Sequence, residues 1–139
     1  MERDYLMFKH IEMVKNTERA KHFFEDYASY TIDPFTLNEN LKTQLNDFNL
    51  IDVRDYDSYL EGHIPFAEHF PIEDFDASLE IISKSKPTVV YCYNISCNLA
   101  KKICLKLVKR GYPAVELVGG FNDWKKRDYE VVKTSASDY

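Results

Sequence analysis

Short apolar runs alternate with amphipathic stretches from residue 29 onward. Runs at 49–54, 88–91 and 114–118 predict buried strands, and shorter runs at 29–32 and 68–70 predict two more. The stretches between them repeat apolar residues at three- and four-residue steps, as one face of a helix does. Near-continuous apolar strands such as 49–54 are typical of parallel sheets, which are buried on both faces. Strands that alternate with helices predict a doubly wound α/β domain.

Capping residues predict several helix ends. Thr36 and Glu39 form a capping-box pair, which predicts a helix that begins at Thr36. Gly62 stands where the short helix after the strand at 49–54 is expected to end. A further helix is predicted over 74–84, and the polar, Ser-rich stretch 128–139 is expected to fray.

The N-terminal residues 1–29 are predicted to be helical and to form a unit distinct from a domain at 30–139. Asn16 or Thr17 is the predicted cap, and an earlier helical turn is expected within 5–14. This segment either forms a helical layer packed on the domain or offers a surface for a homodimer or another partner. Its apolar face is formed by Ala20, Phe23, Phe24 and Tyr27.

Composition and charge narrow the function classes. The 139 residues carry a net charge of −5, which argues against nucleic-acid binding by the whole surface. No apolar run approaches the roughly 20 residues of a membrane helix, and the start MERDYLMFKH has no signal-peptide core. We therefore expect a cytoplasmic protein that binds neither nucleic acid nor membrane. Three cysteines make no disulfide framework, and the four histidines show no zinc-type spacing with them, so no metal is expected.

One segment places a cysteine between a strand and a helix. In residues 88–111, TVVYCYNISCNLAKKICLKLVKRG, the strand ends before Cys92 and an amphipathic helix begins near Leu99. Ligands bind at the carboxyl ends of strands in open α/β sheets, and helix N-termini favour anions. A helix N-terminus also lowers the pKa of a thiol, so Cys92 is the candidate nucleophile. The alternative is a small buried residue at a strand end.

Three stretches, in register, resemble the rhodanese-like domain. IDVRDYDSYLEGHIPFAEHFP looks like that family's run from a D-x-R strand to a G-H-I-P turn. VVYCYNISCNLAKKICLKLVKRGY resembles its strand, cysteine loop and helix, and VELVGGFNDWKK is similar to its closing G-x-x-x-W element. The resemblance implies a three-layer α/β/α rhodanese-like fold with a five-stranded parallel sheet in the order 3-2-4-5-1.

The resemblance also implies sulfur transfer, and no cofactor is expected. Cys92 would take a sulfane sulfur from a small donor (thiosulfate, a polysulfide or a persulfide) and hold it as a persulfide. It would then pass the sulfur to a thiol or to a protein acceptor. In this family the backbone amides of the active loop cradle the outer sulfur. The matching positions here are Tyr93, Asn94, Ile95, Ser96, Cys97 and Asn98.

The loop departs from the family pattern at two positions. The usual loop reads C-x-x-G-x-R, whereas this one reads CYNISC, with Ile95 where Gly is common and Cys97 where a cation is frequent. An anionic donor such as thiosulfate is therefore expected to bind less firmly, unless Lys101 or Lys102 supplies the charge. Asn94 suits a turn with positive φ.

The remaining polar residues and the second loop cysteine have more than one interpretation. Cys97 either resolves a Cys92 persulfide or sulfenic acid by forming a Cys92–Cys97 disulfide, or its S–H and amide only line the loop. Cys104 lies on the apolar face of its helix and is expected in the core. Structural support, rather than chemistry, is assigned to Asp52, Arg54, His63, Gly119, Gly120 and Trp124.

The sequence is consistent with three functions. The leading hypothesis is a sulfurtransferase that carries sulfur on Cys92. The second is a catalytically silent rhodanese-like module for binding or regulation, which the missing loop cation and the extra N-terminal helices favour. The third is a dithiol redox switch between Cys92 and Cys97. Phosphatase activity is not expected, because a phosphoryl transition state needs a cation that this loop lacks.

Overall fold

The structure, a computed structural model, describes residues 11–134. Contacts divide the chain into two compact units, Met1–Tyr30 and Thr31–Tyr139. The helical turn predicted within 5–14 lies mostly outside the described residues. No helix within residues 11–134 is long and apolar enough to cross a membrane.

The described part of the N-terminal unit consists of helix α1 (Ile11–Val14) and helix α2 (Thr17–Ser29). Asn16 caps α2, because its side-chain oxygen accepts a hydrogen bond of 3.1 Å from the Arg19 N–H. That N–H belongs to the first turn, where no backbone acceptor is available. The predicted cap at Asn16 is confirmed.

Helix α2 buries none of its residues. Its aromatic side chains contact one another, with ring centroids 5.0 Å apart for Phe23 and Phe24 and 6.0 Å apart for Phe23 and Tyr27. The packing of residues 1–29 on the domain stays a prediction.

The second unit is built on a five-stranded sheet. Its strands are β1 (Thr31–Ile32), β2 (Asn49–Asp52), β3 (Glu68–His69), β4 (Thr88–Tyr91) and β5 (Ala114–Leu117). All neighbouring strands are parallel and run in the order β1-β5-β4-β2-β3. Counted from the other edge this is the predicted order 3-2-4-5-1, which is therefore confirmed.

Helices connect the strands of this unit. They are α3 (Pro34–Thr43), α4 (Tyr56–Glu61), α5 (Phe75–Ser78), α6 (Leu99–Lys109) and α7 (Gly120–Lys126). Short 3-10 turns lie at Leu45–Asp47, Ile72–Asp74 and Leu79–Ile81.

Both faces of the sheet are covered, so the three-layer architecture is confirmed. On one face Val90 of β4 packs in a cluster with Phe75 of α5 and Ile103 of α6. On the other face Val89 of β4 packs in a cluster that includes Trp124 of α7. Because neighbouring strand residues point to opposite faces, β4 is buried along its whole length.

Helix α3 begins earlier than the predicted capping box. Asp33 is the N-cap, and its carboxylate accepts hydrogen bonds from the Thr36 N–H at 2.8 Å and from the Thr36 hydroxyl at 3.0 Å. The Thr36 N–H bond is the main cause of a lowered Asp33 pKa. Pro34 occupies the first helical turn, where its fixed φ suits a helix and no N–H is needed. The predicted start at Thr36 is therefore wrong.

The helix predicted over 74–84 is also wrong in extent. Only Phe75–Ser78 is α-helical, and the chain is extended at Ile82. The Asn49 side chain at the start of β2 donates to the Ser83 carbonyl at 3.0 Å and holds the segment in this path. Asn49 and Ser83 are 34 residues apart, so the pattern of apolar residues over 74–84 could not predict this contact.

Residues 128–134 follow α7 and are held by hydrogen bonds, so the fraying predicted for 128–139 is wrong for this part. Val132 and His63 form an antiparallel bridge with two N–H to carbonyl bonds of 2.9 Å. The Trp124 indole N–H donates to the Glu130 carbonyl at 2.8 Å. The expectation for residues 135–139 lies outside the described residues.

Candidate active site

Cys92 follows the last residue of β4, which lies between β2 and β5 in the sheet. Its side chain is only 2% exposed. The cysteine loop (residues 92–98) leads from this strand end to the N-terminus of α6, for which Asn98 is the N-cap residue. Cys92 therefore lies at the carboxyl edge of a parallel sheet, where α/β proteins bind ligands.

The cysteine loop is closed by a local turn at Asn94. The Cys97 N–H donates to the Asn94 carbonyl at 3.1 Å, and the Ser96 N–H donates to the Asn94 side-chain oxygen at 2.9 Å. Among the described non-glycine residues, positive φ occurs only at Phe66 and Asp128. The positive φ predicted for Asn94 is therefore wrong, because the side-chain bond makes the turn without it.

Gly120 supports the base of the loop. The N–H of the next residue, Phe121, donates to the Cys92 carbonyl at 2.9 Å, and the Asn122 N–H donates to the Tyr93 carbonyl at 2.8 Å. A Cβ at Gly120 would lie 2.8 Å from the Cys92 carbonyl oxygen, and its φ is +63°. The preceding Gly119 also has positive φ, at +81°. The double glycine thus lets the start of α7 bind the loop backbone directly.

Asp52 and Arg54 form a buried ion pair below the loop. The guanidinium Nη2 lies 2.7 Å from Asp52 Oδ2 and 2.5 Å from the Gly62 carbonyl oxygen. Burial acts to lower the Arg54 pKa, but the hydrogen bonds and charge of Asp52 outweigh it and leave the pKa raised. Arg54 also lies 4.0 Å from the Phe121 ring centroid and 5.8 Å from that of Tyr93. The Arg54 charge is thus paired with Asp52 within the scaffold.

Tyr93 is anchored by Asp55, a residue that the sequence analysis missed. The Tyr93 hydroxyl donates to the Asp55 carboxylate, which also caps α4 by accepting from the Ser58 N–H at 2.8 Å. These bonds, that of Tyr93 foremost, lower the Asp55 pKa to about 2. The D-x-x-S spacing of a helix cap could have identified Asp55, but nothing local marks Tyr93 as its partner.

His63 and Trp124 lie in the scaffold around the site. His63 is buried, its Nδ1 lies 2.8 Å from the Tyr59 carbonyl oxygen, and its ring stacks on that of Tyr59 at 3.9 Å. Trp124 is fully buried on α7. Neither residue is brought to the cysteine loop by a described hydrogen bond.

The two loop cysteines pack together and affect each other's pKa. Cys97 packs against the core cluster that contains Cys92. The Tyr93 amide favours the charged form of both thiols, and the Leu99 amide favours that of Cys97. Burial, together with the Cys97 thiol, raises the pKa of Cys92 to about 12. Burial also acts to raise the pKa of Cys97, but the Cys92 thiol and the two amides outweigh it, so that pKa is lowered.

Burial therefore favours Cys97 over Cys92 as the site of the first negative charge of the reduced pair. The lowered pKa predicted for Cys92 is wrong in this state, because Cys92 is the more buried sulfur. Cys104 is only partly buried on α6, and burial raises its pKa to about 12.

Lysines near the loop are engaged elsewhere or lie in solvent. The Lys101 ammonium pairs with the Glu116 carboxylate at 3.0 Å, although its charge still favours the Cys97 thiolate. Lys102 is exposed on α6, and Ile95 at the loop tip is 71% exposed. Within residues 11–134, no cluster of His, Cys, Asp and Glu has the arrangement of a metal site.

Sequence comparison identifies relatives of this chain. A sequence model of the rhodanese-like domain matches residues 36–127. The thiosulfate sulfurtransferase GlpE of Coxiella burnetii is 41% identical over 81 residues, which cover 57% of this chain and 73% of the relative.

Solved structures with the same fold extend the comparison. The BH2092 protein from Bacillus halodurans superposes with a TM-score of 0.77 and 32% identity, covering 86% of this chain and 88% of its own. A rhodanese-related protein from Thermoplasma volcanium has a TM-score of 0.64 and 25% identity, covering 73% of this chain and 96% of its own.

Proposed function

Because the chain belongs to the rhodanese-like domain family, we propose that it is a sulfurtransferase that carries sulfane sulfur as a persulfide on Cys92. One observation carries the proposal: Cys92 follows the central strand β4, and the Tyr93 amide favours the charged form of its sulfur. An amide at that position stabilises a thiolate or a persulfide anion. The reaction has two half-reactions through one covalent intermediate, so ping-pong kinetics are expected.

In the first half-reaction Cys92 attacks the sulfane sulfur of the donor. The Cys92 proton is lost to solvent as its sulfur forms the new bond. The donor's sulfur–sulfur bond breaks, and with thiosulfate the leaving group is sulfite. The name of the Coxiella burnetii relative supports thiosulfate as one donor, and polysulfides and persulfides are the others.

In the second half-reaction a thiol or a protein acceptor attacks the outer sulfur and leaves Cys92 reduced. Asn94, Ile95 and Ser96 are exposed in the loop that follows Cys92, so we expect the acceptor to meet them first. Since the Lys101 ammonium is paired with Glu116, we expect thiosulfate to bind weakly relative to a neutral or protein-bound donor.

The intact mass of the protein after incubation with thiosulfate or with inorganic polysulfide tests this function. We expect a gain of one sulfur atom in the Cys97→Ser variant, which retains Cys92 and lacks the second loop thiol. Cys92→Ser should show no gain, and Cys104→Ser is the matched cysteine control. If no variant gains sulfur from either donor, the sulfurtransferase proposal is wrong and a binding or regulatory module is favoured.

A dithiol redox switch is a second candidate, favoured because Cys97 lies in the same loop as Cys92 and packs against the same core cluster. Peroxide would oxidise one thiol to a sulfenic acid, and the other thiol would displace water to form the disulfide. Thiol counting before and after mild peroxide decides this. We expect three free thiols to fall to one, and an unchanged count would exclude the switch.

We propose that a second copy of this chain covers the aromatic face of α2 (Phe23, Phe24 and Tyr27). Phe24 is 69% exposed on that face. Arg19 and Asp26 lie seven residues apart and hence on one flank of α2. In an antiparallel pair, Arg19 of each copy faces Asp26 of the other copy, so the charges complement each other.

A cytoplasmic location agrees with this chemistry. Cys92, Cys97 and Cys104 are all free thiols in the structure. A reducing compartment maintains free thiols, and sulfur transfer through Cys92 needs no cofactor.

A further inference from the structure

The two loop cysteines differ in access to solvent. Cys92 is 2% exposed, whereas Cys97 is partly exposed. The 3.1 Å bond from the Cys97 N–H to the Asn94 carbonyl folds the loop back, and Cys97 packs against the core cluster that contains Cys92. Any external nucleophile must reach a buried sulfur, whereas Cys97 already lies in the same loop.

The surroundings of Cys97 favour a nucleophile. The Leu99 and Tyr93 amides favour its charged form, and Leu99 begins helix α6. The positive end of that helix and the nearby Lys101 charge both stabilise a thiolate. A thiolate whose pKa is near ambient pH is the best attacking group in thiol–disulfide exchange.

We propose that Cys97 resolves the Cys92 persulfide by attacking the Cys92 sulfur, which releases hydrogen sulfide and leaves a Cys92–Cys97 disulfide. This inference rests on the proposed formation of that persulfide. The bond from Cys97 to the Cys92 sulfur forms, and the bond from the Cys92 sulfur to the outer sulfur breaks. The outer sulfur leaves with the bonding electron pair and takes the Cys97 proton, so it departs as hydrosulfide.

The electrons balance within the site. The outer sulfur is reduced to sulfide and the two cysteines are oxidised to the disulfide, so no further oxidant enters. Cys97 attacks the inner sulfur because it packs against the core cluster in which Cys92 lies. Holding two reactants in one loop replaces an encounter in solution and favours the intramolecular route.

The activity that follows is sulfane-sulfur reduction. Each cycle converts one donor sulfur to sulfide and oxidises the loop, and an external dithiol then reduces the disulfide. In the presence of a dithiol the protein turns over. In its absence it stops after one equivalent of sulfide per chain.

A single-turnover experiment tests the inference on the full chain. The reduced protein is freed of reductant and mixed with thiosulfate, which contains no free sulfide. Sulfide and intact mass are then measured, with inorganic polysulfide as a parallel donor for the mass measurement. From wild type we expect one equivalent of sulfide and a loss of two hydrogen atoms. The Cys97→Ser variant should keep the added sulfur and release no sulfide, and Cys104→Ser should behave as wild type.

Two other outcomes are distinguishable. If wild type retains the added sulfur as Cys97→Ser does, the inference is overturned and the persulfide proposal stands. If Cys97→Ser gains no sulfur from either donor, the persulfide proposal itself fails, and the inference fails with it.

Discussion

Gly120 lies directly against Cys92, since a Cβ at Gly120 would come within 2.8 Å of the Cys92 carbonyl oxygen. The start of the last helix and the strand end at Cys92 are therefore in van der Waals contact through backbone atoms. The position tolerates no side chain without movement of the loop.

We expect Gly120→Ala to lose persulfide formation. The new Cβ would overlap with the backbone of the cysteine loop. In addition, a residue other than glycine at positive φ is strained, which by itself costs about 1–3 kcal/mol. Gly111→Ala is the matched control. Its φ is also positive, at +82°, but its Cβ meets only the flexible Lys84 side chain. Intact mass after donor incubation should show sulfur on Gly111→Ala and none on Gly120→Ala, and equal loading would contradict the role given to Gly120.

Arg54 should be needed for stability rather than for charge at the sulfur. Removing one partner of a buried ion pair costs about 3–5 kcal/mol, because the remaining charge is buried without compensation. We expect Arg54→Met to lower the free energy of unfolding by about that much. Urea titrations of wild type and variant measure the difference.

The exposed pair of Arg110 and Asp76, at 2.7 Å, is the control for that measurement. Arg110→Met should cost less than about 1 kcal/mol, because solvent screens an exposed pair. Comparable losses for the two substitutions would mean that the Arg54 pair is not a buried support.

The Tyr93–Asp55 bond predicts a pH dependence of stability. The Asp55 pKa falls from 3.8 to about 2 on folding, so its stabilisation is complete above about pH 4 and is lost as pH falls towards 2. Tyr93→Phe removes the largest cause of the lowered pKa and should shrink this acid loss. Asp55 is exposed, so the difference should stay below about 1 kcal/mol.

Urea unfolding of wild type and Tyr93→Phe between pH 5 and about pH 2.5 measures how much stability each protein loses in acid. Tyr112→Phe, whose hydroxyl makes no hydrogen bond among the described contacts, is the control. If Tyr93→Phe follows the wild-type pH curve, the bond does not stabilise the ionised carboxylate.

Cys97 should react with iodoacetamide before Cys92 at neutral pH. The pKa of Cys97 is lowered, whereas the pKa values of Cys92 and Cys104 are raised to about 12. Peptide mapping by mass spectrometry after brief alkylation gives the order. Cys92→Ser removes one cause of the lowered Cys97 pKa and should slow alkylation of Cys97. Faster alkylation of Cys92 than of Cys97 in wild type would place the first negative charge on the other sulfur.

Charge exchange on α2 tests the proposed homodimer. Arg19→Asp should weaken self-association, because it opposes Asp26 of the second copy with a like charge. The double variant Arg19→Asp/Asp26→Arg restores opposite charges and should restore the dimer. Sedimentation velocity over a range of concentrations measures both, and a wild type that stays monomeric throughout would refute the pairing.

The strands of the sheet could be predicted from sequence because each is a short apolar run, and such a run is recognised from neighbouring residues alone. The position of Cys92 after β4 followed from Thr88–Tyr91 and the helix that begins at Leu99. The family resemblance supplied the strand order, which periodicity alone does not contain. The cap at Asn16 could also be predicted, because its hydrogen-bond partner is only three residues away.

The features that could not be predicted depend on contacts between residues that are distant in the sequence. The Tyr93–Asp55 bond spans 38 residues, and the path after α5 depends on Asn49, 34 residues before Ser83. The inversion of acidity between Cys92 and Cys97 follows from burial and from the amides that face each sulfur, which the six letters CYNISC do not reveal.

Trp124 is fully buried on α7 and is the single tryptophan of the chain. Its indole N–H is bonded to the Glu130 carbonyl, and its helix begins at the residues that contact Cys92. Indole fluorescence therefore comes from one position, whose emission shifts to longer wavelength when water reaches it. The protein thus contains its own optical reporter of unfolding, placed on the element that supports the cysteine loop.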